Sequence, residues 1–440
     1  MLDVKYLINE IQDQYLENDN NRPWIVGFSG GKDSTMLLQL VWSAIKGLDG
    51  IFKDSRPVYI VCNNTLVENP RILEYTERIL NAIQEAAVRD DLPIFVQRTT
   101  PKLEETFWLN LIGRGYPAPN SMFRWCTERL KINPTTKFIL DKVSDAGEVI
   151  ILLGTRSAES SARANSIKKH ALFGQRLRKH VLPNAFVYAP IKDVETEEVW
   201  QYLLQNPPAW ANSNRELITL YRNASGGDCP LVIDTTTPSC GQSRFGCWVC
   251  TVVNKDKSME ALIDNGEEWM LPLLEIRDYL AENRSNPEHR QKERRNGTIT
   301  EGVLGPYFPH IRAEILEKLL IAQKEIQETQ PDTILITHQE LVAIQIIWYR
   351  DSIFEPRVSD IYNKIYNSSD MNKKEKQWVK ESEILQHVCK ETPEDINLIG
   401  NLLDLQKSKI LMQRKRGLPA ELENRIETFI KQQKITEDVN

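Results

Sequence analysis

The sequence predicts an α/β fold, a doubly wound parallel sheet followed by a cysteine-rich loop and an α-helical C-terminal region. Three observations predict it. An apolar run, Trp24-Ile25-Val26-Gly27-Phe28, passes through a glycine turn into a helical pattern with Leu37, Leu38, Val41, Trp42 and Ile45 on one face. Three more strand-like runs alternate with helical stretches, and the last, Glu148 to Gly154, is the near-continuous apolar run of a strand covered on both faces. Four of the seven cysteines then crowd between Cys229 and Cys250, after which the periodicity turns helical. A chain of 440 residues holds about two or three domains. The boundaries fall at 1–205 for the sheet domain, 206–260 for the cysteine segment and 261–440 for the helical region.

Taken in order, residues 1–18 carry Leu2, Tyr6, Ile8, Ile11 and Tyr15 at the spacing of an amphipathic helix, which the polar stretch from Asn18 to Pro23 ends. The first strand follows, and then Ser29-Gly30-Gly31-Lys32-Asp33-Ser34. Strand, glycine turn and helix together make a phosphate-binding arrangement. Adjacent glycines let backbone N–H groups converge on an anion, and the helix N-terminus adds positive dipole. Lys32 supplies a mobile charge, and Ser29 and Ser34 supply hydroxyls. The four-residue spacer of a Walker A loop is absent, which disfavours a β–γ cleaving NTPase of that type. Pro57 to Cys62 reads as the second strand, and a helix starts at Pro70 and runs to about Val88. Leu92 to Val96 is the third strand and Glu148 to Gly154 the fourth. In such a fold ligands lie at the carboxyl ends of the strands, which puts the glycine turn, Asn63 and Gly154 along one edge. Beyond residue 311, Ile311, Ile315, Leu319 and Ile326 mark an amphipathic helix. Thr337-x-x-Glu340 is a capping box opening the next, and residues 395–432 supply further helical runs.

Bulk composition bounds the function classes. A net charge of −6 argues against a wholly basic nucleic-acid binder while leaving local patches open. No apolar run approaches a membrane span and the N-terminus lacks a signal-peptide pattern, so a cytoplasmic location is the default expectation. In such a compartment, cysteines read as metal ligands or reactive thiols rather than disulfides. The six histidines are scattered without ligand or triad spacing.

The Ser29–Ser34 stretch resembles the SGGxDS PP-loop of the ATP-pyrophosphatase and PAPS reductase superfamily. Three more blocks extend the resemblance in the same order. Arg124-Trp125-Cys126-Thr127 with Leu130-Lys131 and Pro134 is similar to that group's RWCT block. Gly154-Thr155-Arg156 with Glu159-Ser160 and Arg163 is similar to its GxR block, and Pro190 to Asp193 leads into a VWxYL helix at Val199–Leu203. The resemblance implies an adenine nucleotide alpha hydrolase-like fold and cleavage of ATP between its α and β phosphates. It makes Ser29, Gly30, Gly31, Lys32, Asp33, Ser34, Gly154 and Arg156 the nucleotide site. Lys32, Asp33, Arg156 and Cys126 become the catalytic candidates, with Mg²⁺ beside them. Arg124, Lys131, Arg156 and Arg163 are suited to surround pyrophosphate or a second anion, because guanidinium forks bind phosphate oxygens in pairs.

Cys229, Cys240, Cys247 and Cys250 are spaced C-x10-C-x6-C-x2-C among glycines and prolines, a loop able to wrap a metal centre. Four thiolates suit tetrahedral zinc or an iron–sulfur cluster, and spacing alone does not choose. A PP-loop domain followed by this loop and a charged helical region resembles the DndC family of DNA-phosphorothioation sulfurtransferases. Arg294-Arg295-Asn296-Gly297 and Gly305-Pro306-Tyr307 extend that likeness. The resemblance implies a [4Fe–4S] cluster on the four cysteines, with zinc as the alternative. It implies as partners DNA, a cysteine desulfurase that supplies sulfur, and other proteins of a phosphorothioation complex, with no membrane. Cys126 has two readings, a persulfide-carrying thiol whose pKa Arg124 and Arg129 lower, or a packing residue. Cys62 and Cys389 read as ordinary apolar residues.

Two basic stretches remain. Arg163, Lys168, Lys169, Arg176, Arg178 and Lys179 follow the nucleotide site and suit a polyanion backbone. Arg284, Arg290, Lys292, Arg294 and Arg295 form the second stretch. The expected function is an ATP-dependent sulfurtransferase that adenylates a DNA backbone phosphate, releases pyrophosphate and replaces a non-bridging oxygen by sulfur. The alternatives are a sulfonucleotide reductase, a tRNA thiolase of the same superfamily, and a non-catalytic nucleotide- and DNA-binding scaffold.

Overall fold

Six strands form one sheet in the order β3-β2-β1-β4-β6-β5. They are β1 (Trp24–Gly27), β2 (Val58–Asn63), β3 (Ile94–Thr99), β4 (Val149–Leu152), β5 (Arg178–Lys179) and β6 (Ala185–Tyr188). All pairings are parallel except that of β5 with β6. This computed structural model describes residues 2–17, 22–159, 165, 176–223, 246–253, 255–295, 298–351 and 353–367, with scattered residues from 384 to 426. Cys229, Cys240, Arg163, Lys168, Lys169 and Cys389 lie outside the described residues, as do most of the helical runs expected over 395–432. The chain divides into two compact units, Met1–Lys102 with Pro119–Asp278, and Leu103–Ala118 with Tyr279–Asn440.

In the first unit β1 is central, with Val26 opposite Ile60 of β2 and Leu152 of β4. Strand side chains alternate faces, so Trp24 and Val26 enter one core and Ile25 the other. The larger core is covered by α1 (Val4–Leu16), α2 (Lys32–Lys46) and α4 (Pro70–Arg89), with the single turn α3 (Gly50–Lys53) between them in sequence. The opposite face takes Ile139 of α5 (Asn133–Ala146). Burial on both faces explains why β4 reads as an unbroken apolar run. The side chain of Asn69 caps α4 by accepting from the Arg71 N–H at 3.0 Å, and Pro70 takes the first helical position, where a missing N–H costs nothing. The helices α6 (Thr196–Gln205), α7 (Arg215–Asn223), α8 (Lys257–Asp264) and α9 (Leu271–Asn283) follow in sequence. Two strands lie beyond the sequence expectation, since β5 and β6 are short and β5 is made of Arg178 and Lys179.

The second unit is helical, with α10 (Pro309–Gln327), α11 (His338–Arg350) and α12 (Val358–Tyr366). The capping box of α11 forms as expected, Thr337 accepting from the Glu340 N–H and Glu340 from the Thr337 N–H. Residues 103–118 come from the middle of the chain, and their π-helical turn Leu109–Gly113 is fully buried. Trp108 Nε1 donates to the Leu335 carbonyl at 2.8 Å, and Trp348 Nε1 donates to the Ile112 carbonyl at 3.0 Å. Among the described residues no helix is long and apolar enough to cross a membrane.

Candidate active site

The connection from β1 leads to β2 on one side, while β4 lies on the other side of β1 and continues to β6. Open α/β sheets leave a crevice at such a switch point, at the carboxyl ends of the strands. Both loop motifs fall there, Ser29–Ser34 after β1 and Gly154-Thr155-Arg156 after β4.

The loop is shaped by close approaches. Gly30 has φ +73°, and a Cβ on it would stand 2.8 Å from Thr76 Oγ1 of α4. Gly31 is the N-cap of α2, which no side chain caps, so the dipole end of a fifteen-residue helix faces the crevice. Ser34 Oγ donates to the Gly31 carbonyl at 3.0 Å, accepts from the Ser29 N–H at 3.3 Å, and lies 3.3 Å from Ser29 Oγ. The Lys32 N–H donates to the Tyr221 hydroxyl at 3.3 Å, and the Lys32 ammonium lies 5.5 Å above the Tyr221 ring. A Cβ on Gly154 would stand 2.9 Å from the Asp33 carbonyl oxygen, so β4 and the first turn of α2 touch backbone to backbone.

Asp33 joins the two motifs. One oxygen accepts from Arg156 Nε at 2.7 Å, and the other pairs with Lys32 Nζ at 3.2 Å. Arg156 is 1% exposed, and its remaining nitrogens reach the Val194 carbonyl at 3.0 Å and Thr196 Oγ1 at 3.3 Å. With its bonds running to protein groups, Arg156 fixes Asp33 and hence the loop, and is a positioning residue. Lys32, attached through one flexible pair, is the cation able to swing to a phosphate.

A second cluster lies beyond β2. Asn63 Nδ2 donates to the Leu130 carbonyl at 2.8 Å. Glu68 and Cys247 pair as an antiparallel bridge, and Trp248 N–H donates to the Val67 carbonyl at 3.0 Å. Thr65 Oγ1 lies 3.3 Å from Cys247 Sγ and donates to Glu68 Oε1 at 2.8 Å. Buried Arg277 of α9 holds the far side of the turn through the carbonyls of Cys250, at 3.0 Å, and Val253. Burial pushes the Cys247 thiol up to about 12, with the Glu68 charge adding to the rise and Lys131 opposing it. The Lys131 ammonium is raised, chiefly by the charge of Cys247, and Glu68, Cys250 and Cys126 act in the same direction. The expected lowering of the Cys126 thiol does not occur. Burial raises it, and the compensating hydrogen bond comes from Thr127, not from the flanking arginines. Arg124 itself is exposed.

These thiols bear on the implied metal centre. Cys247 and Cys250 form a tight turn, the Cys250 N–H donating to the Cys247 carbonyl at 3.0 Å, as a C-x2-C edge of a thiolate site requires. Among the described residues, however, no group of three or more His, Cys, Asp or Glu side chains is arranged to hold a metal ion. Cys229 and Cys240 lie outside the described residues, so Cys247 and Cys250 are the described half of the expected ligand set. Each Asp33 oxygen keeps a lone pair beyond its present contact, so Asp33 remains a candidate ligand for Mg²⁺ that arrives with the triphosphate.

Of the first basic stretch, Arg176 forks onto Glu10 of α1 at 3.1 and 3.2 Å and reaches Asp13 at 3.3 Å, which offsets its charge. Arg178 and Lys179 sit on the edge strand β5, Arg178 half-buried and lowered by that burial. Sequence reasoning missed Tyr221, Thr76, Val194 and Thr196, which shape the loop from distant segments and belong to no motif. A 420 Å³ cavity against Arg89 and residues 207–212 lies at the C-terminal end of α4, about 30 Å of helix from Pro70. It plays no part in the loop.

A curated relative from Methanocaldococcus jannaschii, itself of uncharacterized function, is 30% identical over 185 residues, which cover 42% of this chain and 32% of the relative. The chain thus matches about a third of that relative's length. Among solved structures, the phosphoadenylyl-sulfate reductase of Candida auris in its phosphate complex aligns with a TM-score of 0.28 at 13% identity, covering 46% of this chain and 85% of that one. The U34-tRNA thiolase NcsA of Methanococcus maripaludis with its [4Fe–4S] cluster aligns at 0.28 and 15% identity, over 64% and 79% of the two chains. FMN adenylyltransferase of Candida glabrata aligns at 0.29 and 13% identity, over 54% and 68%. These scores are low, and the assignment rests on a family model instead. The phosphoadenosine phosphosulfate reductase domain matches residues 23–253, from the start of β1 through the turn that carries Cys247 and Cys250. That span is more than half of the chain, and the protein belongs to the phosphoadenosine phosphosulfate reductase domain family.

Proposed function

We propose that this protein is an ATP-dependent sulfurtransferase that activates a DNA backbone phosphate and replaces one of its non-bridging oxygens by sulfur. The observation that carries the first half is the crevice itself. A glycine loop, an uncapped helix N-terminus and Lys32 converge where β1 and β4 diverge, with Arg156 and Gly154 holding the loop in place. Such a site suits the binding and neutralisation of phosphate and, among the described residues, offers no acid–base pair, which suits phosphoryl chemistry driven by positioning and charge. A non-bridging oxygen of the DNA phosphodiester attacks the α-phosphorus of ATP. The new P–O bond forms as the bond to the β-phosphate oxygen breaks, and pyrophosphate leaves against the loop N–H groups and Lys32. A sulfur nucleophile then attacks the activated DNA phosphorus and AMP departs. If the sulfur arrives as a persulfide from a cysteine desulfurase, a thiol must afterwards cleave the S–S bond to leave the phosphorothioate. The second half, DNA as acceptor, is supported by the resemblance of the loop, the cysteine segment and the helical region taken together.

Two measurements test the reading. With ATP labelled at the α-phosphate, the full chain and DNA should release pyrophosphate and move the label onto the DNA, from which a persulfide donor frees it as AMP, and ADP as product would refute it. Mass spectrometry of nuclease-digested DNA should detect sulfur-bearing dinucleotides only in cells that contain the protein. Sulfonucleotide reduction is the second reading, favoured by the family match over residues 23–253. Sulfite release from phosphoadenylyl sulfate with a thiol reductant, without sulfur in DNA, would establish it instead.

A further inference from the structure

The second basic stretch contains two different kinds of arginine. Arg290 is structural: it is 7% exposed, and its guanidinium donates to the carbonyls of Gly305, Arg284 and Leu304. Arg295 is exposed and lines a 260 Å³ cavity together with Arg114, Arg312, Gln291, Pro309 and Asp351. Three arginines and one aspartate thus line the same space, and that aspartate is shared. Asp351 lies 3.6 Å from Arg312 Nη1 and 3.4 Å from Arg350 Nη2.

The arrangement is built into the unit. Arg312 is 4% exposed and donates to the Tyr307 carbonyl at 2.9 Å and the Gly113 carbonyl at 3.2 Å. It lies against Gly115, whose φ is +71° and where a Cβ would stand 2.5 Å from Arg312 Nε. Arg114 is braced by Asn110 Oδ1 at 2.7 Å, and Arg295 donates to the Arg114 carbonyl at 2.8 Å while lying over the Tyr116 ring. Burial lowers the Arg312 guanidinium, Asp351 opposes this, and the charge of Arg295 lowers it further. Like charges held this close around a cavity are relieved by an anion. The N-terminus of the nineteen-residue helix α10, which no side chain caps, opens at Pro309 on the same wall.

We propose that this cavity is a second anion site, which takes one phosphate group, either a backbone phosphate of a nucleic acid or free phosphate or pyrophosphate. A volume of 260 Å³ is below the roughly 300–1,000 Å³ of pockets for drug-sized ligands, which suits a single phosphate with its immediate substituents. Arginine forks grip phosphate oxygens in pairs.

The test is calorimetric titration of the full chain with inorganic phosphate, pyrophosphate and a short single-stranded oligonucleotide, with hydrogen exchange read over residues 308–314. Phosphate should protect those amides. Arg295→Gln should weaken binding about tenfold or more, as loss of a charged hydrogen bond does. Asp351→Asn should tighten it, a gain that a folding defect does not produce. Binding lost in Lys32→Ala alone and unchanged in both cavity variants would overturn the proposal. A preference for the oligonucleotide identifies a nucleic-acid backbone as the source, and a preference for pyrophosphate identifies the free anion. The release of AMP and pyrophosphate is read separately, so this proposal and the catalytic reading fail independently.

Discussion

At the scale of single residues, the two motifs of the crevice are joined by a glycine whose role is spatial. Gly154 stands in the sequence as the end of the fourth strand and the first letter of a Gly-Thr-Arg block. In the fold its missing side chain lets β4 lie against the first turn of α2. A Cβ there would come within 2.9 Å of the Asp33 oxygen, 3.0 Å of its carbonyl carbon and 3.2 Å of the Ser34 nitrogen. These are backbone atoms, and they cannot rotate away as a side chain would. Gly154→Ala should therefore displace the loop rather than unfold the sheet, costing roughly 1–3 kcal/mol of stability. Release of AMP from ATP should fall about tenfold or more, because loop N–H groups must meet the phosphates within a fraction of an ångström. Gly50→Ala is the matched control, since nothing lies within 4 Å of its added methyl. Equal ATP turnover in the two variants would show that the β4 contact does not set the loop.

Elements were legible wherever a local rule coincides with tertiary demand. Pro70 opening α4 and the Thr337–Glu340 box opening α11 are local chemistry, and both form. Residues 109–113 were not legible, because a turn buried on every side has no polar face and hence no period to detect. The pair β5 and β6 was hidden by shortness, and Tyr221 because a contact between residues 32 and 221 leaves no mark on either segment. The α11 box also makes a pH prediction. The Glu340 carboxyl is 4% exposed, and its Oε2 accepts from the Thr337 N–H and hydroxyl, each at 3.0 Å. Burial raises its pKa above the ordinary 4.5, against the hydrogen bonds from Thr337 and Thr106. The folded state then holds this proton to higher pH than the unfolded state does. The group's contribution is complete below its ordinary value and is lost as pH rises through the raised one. Glu340→Gln keeps a capping acceptor without the charge. In urea unfolding it should gain stability over the parent near pH 7 and little near pH 4, and an equal difference at the two pH values would contradict the assignment.

For the whole molecule, the path of the chain matters more than the number of its parts. The family match spans residues 23 to 253, yet Leu103–Ala118 inside that span belongs to the helical unit. Phe107, Trp108, Leu109, Leu111 and Ile112 are each no more than 1% exposed. Trp108 depends on the carbonyl of Leu335 for its indole N–H, and the Ile112 carbonyl receives the indole N–H of Trp348. A fragment ending at Asp278 would keep the whole sheet, the PP-loop and the cysteine turn, but would strand these five side chains without their partners. Aromatic residues alone bury about 150–250 Å² each, so the exposed patch would reach several hundred Å², more than soluble monomers usually carry. The fragment 1–278 should aggregate or bind a hydrophobic dye strongly, whereas 1–367, which retains α10 to α12, should stay monodisperse by light scattering. A soluble 1–278 fragment without dye binding would mean that residues 103–118 can find a different home. The helical unit would then be an appendage and not a condition for the sheet domain to exist in solution.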